Sequence, residues 1–347
     1  MILNTYAVLA AFTSVLGFLL GLLILGFGLF ALRQCWRQGD PEAKKAVESR
    51  SALLLLLALL LVSLNVVSWP LLYLLLQSYV PQWPGVMCIY GVTQVGAGSL
   101  GTSRFLPGLL RTLQLTKPLL VFLSGAWFVL YVINRRCATA PLIRRVFVVM
   151  LVVAALAEVD ALAEGAYLVI PKKEEFLASG CCTEVLDDAG RHPQALPQFI
   201  VGEELHPWLT PAYYVLNAGM ILALFGFALR PRARFPVTAM ASLLLGAALA
   251  VPISAVFLVE IAAPTILHLP YHHCAYDLIP RAPETVLGIA LFLWGTFSVG
   301  WACVAAWLGS CQETRNLLPG RVRSLLLLAA YCYLASLILI SVELALA

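Results

Sequence analysis

Eight stretches of the chain are apolar over enough residues to cross a lipid bilayer. They cover about 6–32, 52–77, 118–134, 143–170, 210–229, 236–262, 285–309 and 323–346, the third being the shortest. A spanning helix needs roughly 20 apolar residues. Inside hydrocarbon every backbone polar group must be satisfied within the protein, which leaves helices or closed barrels. Runs that are continuously apolar, with no alternation, predict helices. The expected fold is therefore an all-α polytopic membrane protein, with residues 1–347 as a single transmembrane domain in one bundle. The charged fraction agrees: it is 12%, with 61% hydrophobic residues, where soluble domains carry about a quarter charged. The first run lacks a basic start and a small-residue cleavage site and is too long for a signal peptide, so it reads as a retained helix. No internal repeat is visible in the sequence.

Lysine and arginine placement predicts the orientation. Arg33, Arg37, Lys44, Lys45 and Arg50 flank one connection, and Arg135, Arg136, Arg144 and Arg145 the next. Arg230, Arg232 and Arg234, then Arg315, Arg321 and Arg323, flank the other two. These are 15 of the 22 basic residues, and they mark the cytoplasmic side. Both termini are then expected outside. The net charge of +4 comes from these flanks, so no nucleic-acid partner is expected. The lipid bilayer is the expected partner, and a bacterial inner membrane the expected location.

The alternate loops, 78–117, 171–209 and 263–284, form the expected extracytoplasmic cap. They hold all five histidines (His192, His206, His268, His272, His273) and four of the nine cysteines (Cys88, Cys181, Cys182, Cys274). Each loop donates at least one thiol to an oxidising compartment, where unpaired thiols need an explanation. Three readings follow. A mixed thiolate–imidazole set suits a soft or borderline ion such as copper or zinc. On that reading the ligands are Cys88, Cys181, Cys182, Cys274 and one of His272 or His273, with Asp277 orienting an imidazole from behind. The protein would then bind or transfer copper, with a metallochaperone as partner. Alternatively the same cysteines exchange electrons with a periplasmic thioredoxin-like protein, although no C-x-x-C is present. The third reading is a structural subunit of a larger membrane complex, stapled by disulfides. None of the three settles whether the chain is an enzyme. His192, His206 and His268 are expected in surface or loop-packing roles.

Acidic residues also occur inside the spans. Glu158, Asp160 and Glu164 fall in the fourth run, Glu260 near the outer end of the sixth, and Glu343 near the outer end of the eighth. A carboxylate at mid-bilayer costs about 2.5–3.5 kcal/mol on insertion scales. Asp160 and Glu164 share a helix face and Glu158 points elsewhere. No membrane-embedded basic partner is apparent, which predicts a hydrated polar path lined by Glu158, Asp160, Glu164 and Glu260.

Other signals are structural. Leu106, Leu109, Leu110 and Leu113 recur at helical spacing beside Arg104, Arg111 and Lys117, which predicts a short helix over 103–118 lying in the membrane interface. Asn65 is expected to hydrogen-bond between helices and Pro252 to kink its helix. "GAGSLG" at 96–101 matches a dinucleotide pattern, but no strand precedes it. There is no C-x-x-C-H, no intrahelical histidine pair and no P-loop, so no haem, NAD or ATP chemistry is expected. Cys303 and Cys332 read as small apolar fillers.

Overall fold

A computed structural model describes residues 4–36, 41–83, 86, 88–97, 101–137, 139–172, 205–230, 235–269 and 273–347. Among them there is no strand, and eight helices are long and apolar enough to cross a membrane. The chain divides into two compact units, residues 1–179 and 180–347.

In the first unit the long helices are α1 (Thr5–Trp36), α2 (Pro41–Tyr79), α4 (Leu106–Arg135) and α5 (Ile143–Val169), with a short α3 (Ile89–Gln94) between α2 and α4. Helix α1 packs on α2 and α5, and α4 packs on α5 and α2, which closes a ring of four. Phe12, Val15, Leu19, Leu22 and Phe27 of α1 stay exposed on its other side. A helix apolar on all faces suits lipid on one side and protein on the other. Small polar groups tie the ring together, as expected where lipid offers helices no hydrophobic incentive to associate. Ser14 donates to the Ala161 carbonyl at 2.9 Å. Asn65 donates to Ser124 Oγ at 3.3 Å, the interhelical bond its position predicted.

The third span departs from expectation. Residues 103–118 do not form a separate interfacial helix: Leu106–Arg135 is continuous through Pro118. The leucine spacing was helical, and Leu106, Leu110 and Leu113 are buried. The proline costs only the bond to the Gln114 carbonyl, and neighbouring helices make such a loss tolerable in a membrane. Lys117 therefore lies inside the span and is fully buried. In the preceding loop Gly96 adopts φ +88°, and a Cβ there would collide with the Ser103 carbonyl. That close turn accounts for the glycine at the head of "GAGSLG".

In the second unit the long helices are α6 (His206–Leu229), α7 (Val237–Phe257), α10 (Pro283–Leu308) and α11 (Leu318–Leu346). Helix α6 packs on α7 and α11, and α10 packs on α11 and α7. Gly295 lets α10 approach α11, since a Cβ there would lie 3.0 Å from the Tyr333 ring. Thr296 and Tyr333 hydroxyls bond across the same seam at 2.8 Å. Short helices α8 (Ala263–Leu267) and α9 (Leu278–Arg281) join α7 to α10. The pairing order is the same in both units: first long helix with second and fourth, third with second and fourth. Each unit also carries a cysteine-bearing connection between its second and third long helices. The repeat that the sequence does not display is thus present in the topology.

Candidate functional site

In the second unit the connection 258–282 is built around a proline. Pro264 has no N–H for the Glu260 carbonyl four residues back, and its ring crowds that carbonyl. The helix widens there into a π-turn, Leu258–Ala262, before resuming as α8. Such turns recur at functional positions. His268 then closes α8 in the left-handed conformation, φ 55°. Its N–H bonds the Thr265 carbonyl at 3.1 Å, and the Leu269 N–H bonds the Pro264 carbonyl at 3.0 Å, a Schellman arrangement. His268 is exposed and acts as a helix stop, in keeping with its expected loop role.

Glu260, 3% exposed, projects from the π-turn. His273 Nδ1 lies 3.5 Å from Glu260 Oε2 and 3.2 Å from the Val259 carbonyl oxygen. A carbonyl only accepts, so Nδ1 carries the proton and donates to it. The carboxylate beside that nitrogen is Glu260, thirteen residues upstream. Cys274 follows directly and opens a 3₁₀ turn, Ala275–Asp277. In such a turn side chains three apart eclipse one another. Cys274 Sγ and an Asp277 carboxylate oxygen accordingly lie within 4.8 Å, both buried. Leu278 and Ala282, packed with Ala263 and Leu267, seat this connection against α8.

The other expected ligands are placed differently. Cys88 belongs to the first unit, 3% exposed, at the residue preceding α3. Cys181, Cys182, His192 and His272 lie outside the described residues. His206 is exposed at the start of α6. Among the described residues no cysteine is joined in a disulfide. Cys303 is buried between α10 and α7, its thiol 3.4 Å from the Met240 carbonyl oxygen, and Cys332 is buried in α11, both as fillers.

The first unit holds the feature that sequence reasoning missed. Lys117 Nζ of α4 lies 2.8 Å from Asp160 Oδ2 and 2.9 Å from Glu164 Oε2 of α5. Thr116 donates to the other Asp160 oxygen. Asp160 and Glu164 do have a membrane-embedded basic partner, contrary to expectation. Glu158 faces the other way, beside Gly21 and Leu22 of α1, where a Cβ on Gly21 would overlap its carboxylate. Neither Glu158 oxygen has a hydrogen-bond partner among the described residues.

Beyond the end of α5, Lys172 donates to the Tyr167 carbonyl at 2.6 Å and sits over the Tyr167 ring, 4.4 Å from its centroid. Both contacts favour the charged amine, yet burial outweighs them and pushes it down to about 8. An ordinary lysine loses its proton near pH 10.4. Lys172 is thus charged below about pH 8 and a nucleophile above it. At pH 8 it should acetylate about tenfold faster than a surface lysine, as peptide mass spectrometry after a brief acetic anhydride pulse would show. A labelling rate that climbs only near pH 10 would contradict this.

No known protein family, curated protein or solved structure matches the chain. The sequence and the geometry alone therefore carry its function.

Proposed function

We propose that this multi-pass membrane protein binds a borderline metal ion in the connection 258–282 of its second unit. Cys274 and Asp277 supply the first two ligands. The observation that carries this is the buried thiol and carboxylate held within 4.8 Å of each other by one turn of backbone. Ligands on a tetrahedral zinc ion sit roughly 3.5 Å apart, from bonds of about 2.0–2.3 Å, so a small side-chain rotation closes the pair on an ion. The sequence offers Cys181, Cys182 and His272 of the same unit for the remaining positions. The carboxylate makes the set harder than thiolates and imidazoles alone, which favours zinc over the copper suggested by cysteine and histidine. His273 has the carboxylate–imidazole pairing typical behind metal ligands. We assign it to fixing the connection on the π-turn.

Two observations favour this reading over thiol–disulfide exchange with a periplasmic partner. Cys274 is 0% and Cys88 3% exposed, whereas exchange needs a sulfur that an incoming thiolate can reach. The described cysteines also form no disulfide to exchange.

Protein purified without an affinity metal, incubated with zinc and desalted, should retain about one zinc per chain. Cobalt in its place should give thiolate-to-cobalt charge-transfer absorption. Cys274→Ala and Asp277→Ala should each weaken retention at least about tenfold, given that even outer-shell changes cost that much. Wild-type protein that takes up neither zinc, copper nor cobalt would end the proposal, as would variants that bind like wild type.

A further inference from the structure

We propose that Lys117, Asp160 and Glu164 form an intramembrane site that binds one exchangeable proton, carried on Glu164 Oε1. This site lies in the first unit and does not depend on the metal reading.

One ammonium against two carboxylates leaves one negative charge. Lys117 is wholly enclosed, and the side chains of Asp160 and Glu164 are 8% and 2% exposed. Among the described residues of the ring nothing else cancels that charge: Arg111, six residues before Lys117 on α4, is exposed to the surroundings. Helices α1 and α2 bring no charged residue over 5–32 or 52–79, and α4 offers no second cation between Lys117 and Arg135. On α5, Glu158 would only add to the deficit, and it faces α1. The phenols of Tyr73, Tyr79 and Tyr167 are neutral, and Lys172 is engaged by Tyr167 beyond the span. An uncompensated ion in such surroundings costs several kcal/mol. One bound proton makes the triad neutral.

The hydrogen bonds then say where the proton sits. Asp160 has both oxygens occupied, one by Lys117 and one by Thr116, which suits an ionised carboxylate. Glu164 uses only Oε2. Its Oε1 is buried and has no hydrogen-bond partner among the described residues. A bare carboxylate oxygen there would be an unsatisfied buried charge, whereas a protonated one is a neutral hydroxyl, much cheaper to bury. Glu164 is five residues from the end of α5, about 8 Å at 1.5 Å per residue. That is a short distance for a proton to travel to water. Ionisable groups inside a membrane are a recurring part of proton pathways.

Infrared spectroscopy of the full chain in lipid bilayers tests this, since a protonated carboxyl absorbs apart from a carboxylate. Wild type near pH 7 should show a protonated-carboxyl band, shifted in deuterated buffer, that Glu164→Gln lacks and Glu158→Gln keeps. Glu164→Asp retains a carboxyl at the site and should show the band at a changed frequency, which separates loss of the proton from loss of the fold. The band should fade and return as pH is cycled between about 5 and 10. The proposal is overturned if Glu164→Gln leaves the spectrum unchanged, if Glu158→Gln removes the band instead, or if the band ignores pH across that range.

Discussion

Replacing Lys117 with methionine should lower the melting temperature of the detergent-solubilised protein by about 10 °C, the larger of the two stability effects expected here. Methionine fills a similar volume, so packing is nearly conserved and the loss is electrostatic. Removing one partner of a buried ion pair costs about 3–5 kcal/mol, because the other charge remains without compensation. Here Lys117 is the donor to both carboxylates, at 2.8 Å and 2.9 Å, and its loss leaves the ionised Asp160 without its countercharge. For a chain region of 150–250 residues each kcal/mol moves the midpoint by about 2–4 °C. A thiol-reactive dye, which reports the unmasking of buried cysteines such as Cys88, measures the shift. Adding Asp160→Asn and Glu164→Gln to Lys117→Met should restore most of it, because the amides carry no charge to strand. A single variant that melts with wild type would show that water already reaches the triad and that the burial is not dry.

The spans and the triad differ in how far the residues announce them. Eight helices are readable because lipid leaves a segment like 143–170 one way to satisfy its backbone, and the run limits fall within a few residues of the observed ends for seven of them. The eighth case, α4, is where the site was lost. Pro118 follows Lys117 directly, and a proline beside a lysine looks like the edge of a span. The helix runs on through it because α5 and α2 pack against it. Once Lys117 is placed outside, Asp160 and Glu164 lose their partner and a wet cavity becomes the natural inference. The only available signal was periodicity: Leu106, Leu110, Leu113 and Lys117 lie at steps of four, three and four, so the lysine shares the buried leucine stripe.

The histidine loop shows a second limit of the same kind. The segregation of histidines and cysteines into three loops is legible, but not which carboxylate meets which imidazole. Asp277, four residues from His273, is the local candidate. Glu260 reaches it instead because the π-turn and the left-handed His268 fold the chain back on itself. No residue type demands a π-turn, and Pro264 signals only that a bond is missing. The 3₁₀ geometry places an Asp277 oxygen within 4.8 Å of the Cys274 sulfur, the proximity on which its proposed part as a ligand rests. The repeated four-helix ring is invisible for a related reason. Ring order is set by which faces meet, and α4, with Lys117, has no charged counterpart on the buried face of α10, where Gly288, Phe292 and Gly295 take the contact.

The π-turn itself depends on the packing just before it, which makes Phe257→Ala the second large effect expected. Phe257 is 1% exposed and stacks on Tyr213 with ring centroids 4.0 Å apart and planes 7° from parallel. Tyr214 meets it edge-on at 6.3 Å, and Ile340 of α11 closes the cluster. Truncating a buried phenylalanine costs about 3–5 kcal/mol in a water-soluble core. Lipid removes part of the hydrophobic term but not the cavity or the lost ring stacking, so about 2–3 kcal/mol is expected, or a drop near 6 °C. Phe257→Leu, which refills most of the volume, should recover at least half. The consequence reaches the proposed metal ligands, since Glu260 and hence His273 are positioned by the turn that starts at the next residue. Zinc retention by Phe257→Ala should therefore fall in parallel with its stability, while Trp307→Ala, at an exposed ring near the far end of α10, should leave retention unchanged. If Phe257→Ala melts earlier yet holds zinc as wild type does, the aromatic cluster stabilises the bundle without positioning the loop, and His273 and Glu260 lose their assigned part in the site.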